Sequence, residues 1–148
     1  DAMIMAAAGL QRLNLDERIT EIIDPENIIP AISQGIIAIE TRVDDEQIAT
    51  VMNGINHQPT MQVALAERAF LKAMDGGCQV PIGCYSEVSD DEIVFTGFVS
   101  DLKGEKIIRL SKKGSLEDAR AIALKISGQM AELGAKEILD EIRKNSCI

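Results

Sequence analysis

The residue best suited to covalent chemistry is Cys78, which follows two glycines and precedes a proline in residues 75–81, DGGCQVP. No histidine lies beside it, and the helix predicted just upstream would place its C-terminus there, which disfavours a thiolate. These features argue against a cysteine-protease type of nucleophile. A glycine corner could instead present the sulfur as a point of covalent attachment, or the thiol could be a small buried apolar side chain.

Two pairs of neighbouring carboxylates, Asp44 with Asp45 and Asp90 with Asp91, are the other groups that could do chemistry. Such pairs can work as general acid and base. Each pair, however, lies where the pattern predicts a helix cap or a turn, and aspartate is favoured at both for structural reasons. We therefore predict structural roles for all four, and no catalytic acid in this chain.

The remaining cysteines, Cys84 and Cys147, bring the total to three, an odd number without a disulfide-framework spacing. They are typical of free thiols in a reducing compartment, so we expect a cytoplasmic protein in which both are bystanders. The single histidine, His57, lies in a turn-rich stretch, and the chain has no CxxC pair. No ordinary zinc site is predicted.

The composition sets the class of protein. The chain has 148 residues, of which 46% are hydrophobic, and a net charge of −9. This is enough apolar material for a core, while the negative charge argues against nucleic acid and anionic membranes as partners. No apolar run is long enough to cross a membrane.

The elements around Cys78 predict a compact unit from residue 58 to the end. A helix over residues 61–74, with Thr60 as its N-cap, has its apolar side chains three and four residues apart, and Gly76 or Gly77 would close it in the left-handed conformation. Three strands follow, over 79–88, 92–100 and 106–111, joined by short turns that predict an antiparallel meander. A capping box at Ser115 opens a helix that Gly134 ends, and a last helix covers 135–143. The fold class is α+β, with helices on one face of the sheet.

The first part of the chain does not predict a complete domain. Apolar runs over 1–7 and 31–40 predict strands, and a short helical piece between them carries Arg12. Arg18 opens another predicted helical turn, through residue 23. A helix that Asp44 and Asp45 can cap runs through residue 53, is ended by Gly54 and leads to a hinge at 56–59. Since no partner strand for residues 1–7 is evident, this part is typical of the tail of a larger α/β domain.

Four blocks of the chain together resemble one family. MDGGCQVPIG is similar to the segment that carries the cofactor in porphobilinogen deaminase (hydroxymethylbilane synthase), and DAMIMAAAGLQRL, IIPAISQGIIAIETR and INHQPTMQVALAERAFLKAMDGG resemble other blocks of that family in the same order. The likeness covers nearly the whole chain but only the C-terminal half of the family.

The resemblance implies a domain organisation. Residues 1–33 would be the tail of the second domain of a periplasmic-binding-protein-like α/β pair, and residues 34–57 a strand and helix that return to the first domain and end at the hinge. Residues 58–148 would be the C-terminal α+β domain that carries the cofactor.

The resemblance also implies the site. Cys78 would hold a dipyrromethane cofactor through a thioether, Gln34 and Gly35 would line the cleft that holds the pyrrole chain, and Gly9 and Arg12 would belong to the same cofactor-binding set. Guanidinium groups suit the acetate and propionate groups of such ligands. The family's catalytic aspartate belongs to the N-terminal portion that this chain lacks.

The implied reaction is the condensation of four porphobilinogen molecules, with loss of ammonia, into hydroxymethylbilane. The chain would then be part of a transferase of porphyrin and heme biosynthesis and would be inactive alone. Its partners would be porphobilinogen, the polypyrrole intermediates and an N-terminal half that could be a separate chain. Two alternatives are a non-catalytic α+β ligand-binding or regulatory module, and a thiol redox protein, which the absence of CxxC disfavours.

Overall fold

The computed structural model describes residues 1–76 and 80–146. These residues form five α-helices and one three-stranded sheet. The helices are α1 (Ala7–Arg12), α2 (Glu46–Ile55), α3 (Gln58–Ala73), α4 (Ala119–Glu132) and α5 (Ala135–Ser146). The strands are β1 (Ile82–Ser89), β2 (Glu92–Ser100) and β3 (Ile107–Ser115), and single 3-10 turns lie at Asp16–Arg18 and Leu116–Asp118.

The sheet is the antiparallel meander that the sequence predicts, in the order β1-β2-β3. Ile82 pairs with Val99 at one end, and Glu92 pairs with both Ser89 and Ser115 at the other. β3 is longer than predicted because β2 offers it backbone partners as far as Ser115. β1 begins after Pro81, whose ring nitrogen has no hydrogen to donate, although its carbonyl oxygen accepts from Ser100 N at 3.0 Å.

Alternation along β2 decides which face carries the core. Ile93, Phe95 and Val99 are fully buried against the helices, and α3 packs against α4 over them. The helices supply most of the other buried apolar side chains, which are Ala66, Phe70, Met74, Ala119, Ile122, Ala123, Ile126, Met130, Ala135, Ile138, Leu139 and Ile142. The predicted α+β layer with helices on one face is confirmed.

The two helices after the sheet begin and end for local reasons. Ser115 Oγ accepts a hydrogen bond from Glu117 N at 3.3 Å, so the predicted cap is present, although one 3-10 turn precedes α4. Gly134, at φ +94°, ends α4 as predicted, since the left-handed conformation suits glycine. α5 continues three residues beyond its predicted end, and its Ile138, Leu139 and Ile142 form one apolar stripe against the core.

The two strands predicted over residues 1–7 and 31–40 are wrong. Neither segment pairs with a strand in the described chain, and the pairings there join only β1, β2 and β3. The apolar side chains are correspondingly open, with Met3 80% and Ile37 88% exposed. An isolated segment cannot satisfy the backbone groups that a sheet ladder would use, so it does not become a strand. The helical turn predicted from Arg18 to residue 23 is also wrong, because the 3-10 turn ends at Arg18.

The connection from α2 to α3 differs from its prediction by a few residues. Gly54 lies inside α2, which ends at Ile55, because Gly54 does not take the left-handed conformation with which a glycine ends a helix. α3 begins at Gln58 with His57, not Thr60, as its N-cap, because Pro59 is tolerated in the first turn. The predicted division into residues 1–33, 34–57 and 58–148 stays a prediction.

Candidate functional site

The segment that contains Cys78 begins at the C-terminal end of α3, which is fixed to the core by Phe70. The Phe70 ring meets that of Phe95 edge to face, with centroids 5.6 Å apart. On the same face of β2, Gly97 leaves room for the ring, since a Cβ there would lie 2.8 Å from Phe70 Cε2. The helix therefore sits close to the sheet, and its last turn has little freedom to shift.

The corner after α3 has a specific hydrogen-bond pattern. Gly76 N donates to Leu71 O at 3.0 Å and Asp75 N donates to Lys72 O at 3.2 Å, which is a Schellman motif. The left-handed residue that closes α3 is Asp75, at φ +51°, and not Gly76, while Gly77, the other predicted candidate, lies outside the described residues. Gly76 serves a different purpose, because a Cβ there would lie 2.6 Å from Leu71 Cδ1 and 3.0 Å from Ile82 Cδ1.

The same corner is held from α5. Arg143 donates from Nη2 to Asp75 O, and its Nη1 lies 3.7 Å from Asp75 Oδ2 and 2.7 Å from Asp140 Oδ1. Val80, where the description resumes, packs against the core. Cys78 itself, and Cys147 near the end of the chain, lie outside the described residues. The predicted attachment point therefore belongs to a connection whose described ends are both fixed.

A buried carboxylate on α3 is the most unusual group in the described chain. Glu67 is only 5% exposed, and its Oε2 accepts from Ser33 N at 2.7 Å while its Oε1 accepts from Ser86 Oγ at 2.9 Å. The Cys84 thiol also hydrogen-bonds to this carboxylate. Charged groups are rarely buried unless hydrogen bonds replace their hydration, and here Ser33, from before the sheet domain, and Ser86 and Cys84, both on β1, do so.

Burial controls the ionisation of this cluster. Desolvation raises the pKa of Glu67 above its ordinary value, and the hydrogen bonds from Ser33, Ser86 and Cys84 oppose that rise without cancelling it. Desolvation also raises the pKa of Cys84 far above its ordinary value, and the neighbouring Glu67 charge adds to the effect. Cys84 is thus a neutral, unreactive thiol, which agrees with its predicted role outside the chemistry.

The turn that contains Gln34 and Gly35 is attached to this buried carboxylate through its first residue. Ser33 has φ +59°, and its hydroxyl oxygen is buried without a hydrogen-bond partner in the described chain. Gln34 and Gly35 are exposed, and Gly35, at φ +84°, has open space where a Cβ would be. The predicted bend is present, but as a turn between irregular segments and not within a strand.

Arg12 and Gly9 lie together on α1, and both are exposed. Among the described residues, neither an ion pair nor a side-chain hydrogen bond engages Arg12, and no bond joins α1 to Gln34 or Gly35. Local sequence explains the placement, since Arg12 lies in the last turn of a short helix, where a cation suits the dipole. The described residues thus show no bond between Gly9 or Arg12 and the Gln34–Gly35 turn, and Cys78, the fifth predicted cofactor-binding residue, lies outside them.

One member of each carboxylate pair has the structural role predicted for it. Asp45 caps α2 by accepting from Ile48 N at 3.1 Å, and its Oδ2 lies 2.8 Å from Arg42 Nη2. The hydrogen bond from Arg42 lowers the pKa of Asp45, and the one from Ile48 lowers it further. Asp90 takes the left-handed position, at φ +54°, in the turn between β1 and β2. Within the described ranges, no group of three histidine, cysteine or acidic residues could hold a metal ion.

Sequence reasoning missed Glu67 and Arg143, and the signal for Glu67 was available. It lies four residues after Val63 and three before Phe70, and therefore on the same apolar face of α3. A charged residue on a buried stripe indicates a buried polar network. Arg143 carried no such signal, because its acceptor, Asp75, is far from it in the chain.

The exposed donors fit a ligand that carries carboxylates, as dipyrromethane does. Arg12 presents a guanidinium with no acidic partner in the described chain, and Gln34 an exposed amide, beside a backbone that Gly35 leaves open. Within the same residues no helix is long and apolar enough to cross a membrane.

Comparison with known families gives two matches that follow one another along the chain. Residues 1–50 match the family model described as porphobilinogen deaminase, dipyromethane cofactor binding domain. Residues 61–132 match the model described as porphobilinogen deaminase, C-terminal domain. Glu67 and Cys78 thus lie in the span of the second model, and Arg12 and Gln34 in that of the first.

Curated relatives agree with these matches. The chain is 44% identical over 142 residues to porphobilinogen deaminase of Synechococcus elongatus, covering 96% of the chain and 44% of the relative. It is 41% identical to that of a Nostoc species, with the same coverage, and 39% identical over 146 residues to that of Carboxydothermus hydrogenoformans, covering 99% of the chain and 47% of the relative. The chain spans about half the length of the curated relatives it matches.

Proposed function

The chain belongs to the porphobilinogen deaminase family, and on that premise we propose that it is the cofactor-carrying part of a hydroxymethylbilane synthase. The protein containing it would condense four porphobilinogen molecules, with loss of ammonia, into hydroxymethylbilane. Cys78 would hold the dipyrromethane primer through its sulfur, and residues 58–148 would be the domain that carries it. We place this protein in the cytoplasm, consistent with the free thiol of Cys84.

The observation that carries this proposal is the fixed corner on either side of Cys78. The Schellman motif and Arg143 hold Asp75, Gly76 is enclosed by Leu71 and Ile82, and Val80 packs on the core. In this proposal, the short connection between these anchored ends would keep the sulfur, and the group attached to it, close to the domain. Tethering of that kind converts each addition into an intramolecular step with a high effective concentration.

The other predicted site residues would bind and orient the pyrrole chain. Arg12 would pair with a carboxylate of the pyrrole chain, while Gln34 and the open backbone at Gly35 would approach the rings. When bound, the dipyrromethane supplies the end to which pyrrole units are added. A chain of net charge −9 cannot provide most of the positive groups that such a polyanion requires.

Those groups, and the catalytic acid, would come from sequence that the longer relatives carry beyond this match. The exposed apolar side chains of residues 1–57, such as Met3 and Ile37, support this view, because they lack packing partners in the described chain. We propose that the N-terminal portion covers them, in one polypeptide or as a second chain. The present chain alone is expected to form no hydroxymethylbilane.

Mass spectrometry of the protein produced with that N-terminal portion tests the proposal. The peptide that contains Cys78 is expected to be heavier by two porphobilinogen units less two molecules of ammonia. The increase should disappear in Cys78→Ser and remain in the matched control Cys84→Ser. An unmodified Cys78 peptide from active cells that supply porphobilinogen would refute the assignment and favour the ligand-binding module.

A further inference from the structure

A segment before the sheet domain is attached to it at three points. We call residues 26–33 the strap. Arg109 Nη1 donates to Glu26 O at 2.7 Å, and a Cβ at Gly83 would lie 2.7 Å from Pro30 O, so the strap passes directly over that glycine. At its end, Ser33 N donates to Glu67 Oε2 at 2.7 Å.

The strap therefore passes around one edge of the sheet. Gly83 and Arg109 are both in register with Phe98, which places them on the face away from α3 and α4. Ser86, by contrast, lies on the face that α3 covers, where it shares the Glu67 carboxylate with Ser33. Since β1 is an edge strand, the strap crosses from the open face to the helical face around β1.

The Glu67 contact differs from the other two because it fixes backbone in an uncommon conformation. Ser33 has φ +59°, and residues other than glycine, asparagine and aspartate rarely adopt this backbone angle unless their surroundings hold them there. Its N–H donates to the carboxylate, while its hydroxyl is buried without a partner in the described chain. Ile32, just before it, packs against the core.

We propose that Glu67 is a positioning residue that holds the turn at residues 33–35 against the edge of the cysteine-bearing domain. The position of the turn relative to α3 and β1 then does not depend on the conformation of the connection between α2 and α3. If the proposed function holds, on which this consequence rests, Gln34 and Gly35 would move together with Cys78 as the pyrrole chain lengthens, and not with the segment that contains α2.

Residue-resolved amide exchange tests the anchoring, because it reads the Ser33 N–H directly. In Glu67→Ala the Ser33 amide is expected to exchange at least about tenfold faster, since a hydrogen bond to a charged acceptor is lost. Glu67→Gln keeps one amide oxygen as acceptor, so exchange should fall between those of the parent protein and Glu67→Ala. The amides of Phe95 and Val99 should keep their protection in both variants.

Two features separate positioning from general stability. Glu67→Gln removes a buried charge and should leave global protection in β2 unchanged or higher while the Ser33 amide loosens. Glu132, which is exposed on α4, provides the matched control, and Glu132→Ala should leave Ser33 unchanged. If Glu67→Ala does not fold, the Ser33 amide exchange of Glu67→Gln is the measurement that tests the proposal.

Unchanged Ser33 exchange in Glu67→Gln, or equal acceleration of Ser33 and β2 amides, would overturn the proposal. The adduct on Cys78 is read separately by mass. A bare Cys78 with a Glu67-dependent Ser33 amide would leave the anchoring standing and remove only its proposed purpose.

Discussion

Substitution of Gly97 by alanine tests how closely α3 is seated on the sheet. The added Cβ would lie 2.8 Å and 2.9 Å from two ring carbons of Phe70 and 3.0 Å from Met130 Sδ. Phe70 is fully buried, so its ring can move away only by displacing other core side chains. Overpacking of this kind costs roughly 1–3 kcal/mol, and we expect Gly97→Ala to lower the free energy of unfolding by that amount.

The partner substitution shows whether the ring is the cause. Phe70→Leu removes the ring edge that the new methyl group meets and leaves only the contact with Met130 Sδ, so Gly97→Ala should cost less in that background. The difference between the two costs is the coupling energy, which is roughly 0.5–3 kcal/mol for residues in contact. Urea unfolding at neutral pH, followed by circular dichroism, measures all four proteins of the cycle.

A second glycine gives the matched control for this experiment. Gly128 lies in α4 with no atom within 4 Å of a Cβ position, so Gly128→Ala should raise the free energy of unfolding by roughly 0.5–1 kcal/mol through helix propensity alone. If Gly97→Ala costs the same with Phe70 in place as it does after the Phe70→Leu change, the close-seating argument is refuted.

Three further predictions concern ionisable groups. Burial raises the pKa of Glu67 above 4.5, so the native state binds the carboxyl proton more firmly than the unfolded chain does. The free energy of unfolding, compared with that of Glu67→Gln, should therefore fall as the pH rises from 4.5 through the native pKa and then level off. Urea unfolding at several pH values measures this difference. Cys84 should resist iodoacetamide in the native state and react once urea unfolds the chain, as read from the mass of its own peptide, and rapid labelling of Cys84 in the native protein would contradict its burial. The pKa of Asp45 is lowered from 3.8, so the stability that its cap contributes should be fully present above pH 3.8 and be lost as the pH falls through the native pKa. NMR chemical shifts of α2 should report this loss of the cap at low pH. In Asp45→Ala the same shift changes should be present already at neutral pH.

Local patterns were sufficient wherever neighbouring residues decide the outcome. The apolar spacing in α3 and α4, the turn at Asp90 and the helix end at Gly134 all depend on interactions within a few residues, and each prediction is confirmed. The same reasoning failed for the apolar run at residues 31–40. A strand requires a partner, and periodicity cannot say whether one is within reach.

Local sequence also failed to predict which residue takes the left-handed conformation at the corner before Cys78. Both Asp75 and Gly76 could have closed α3, and glycine is the favoured choice for the left-handed position. A Cβ at residue 76 would crowd the side-chain ends of Leu71 and Ile82, and the left-handed position is taken by Asp75 instead.

The order of residues by itself determined the family, the α+β class, the meander and the thiol proposed to carry the cofactor, because all of these are written in local spacing or in motifs. Tertiary structure alone decided that Glu67 joins Ser33 to Ser86 and that Arg143 holds Asp75. Those bonds join residues far apart in the chain, and only the packing of α3 and α5 on the sheet brings their atoms within reach of each other.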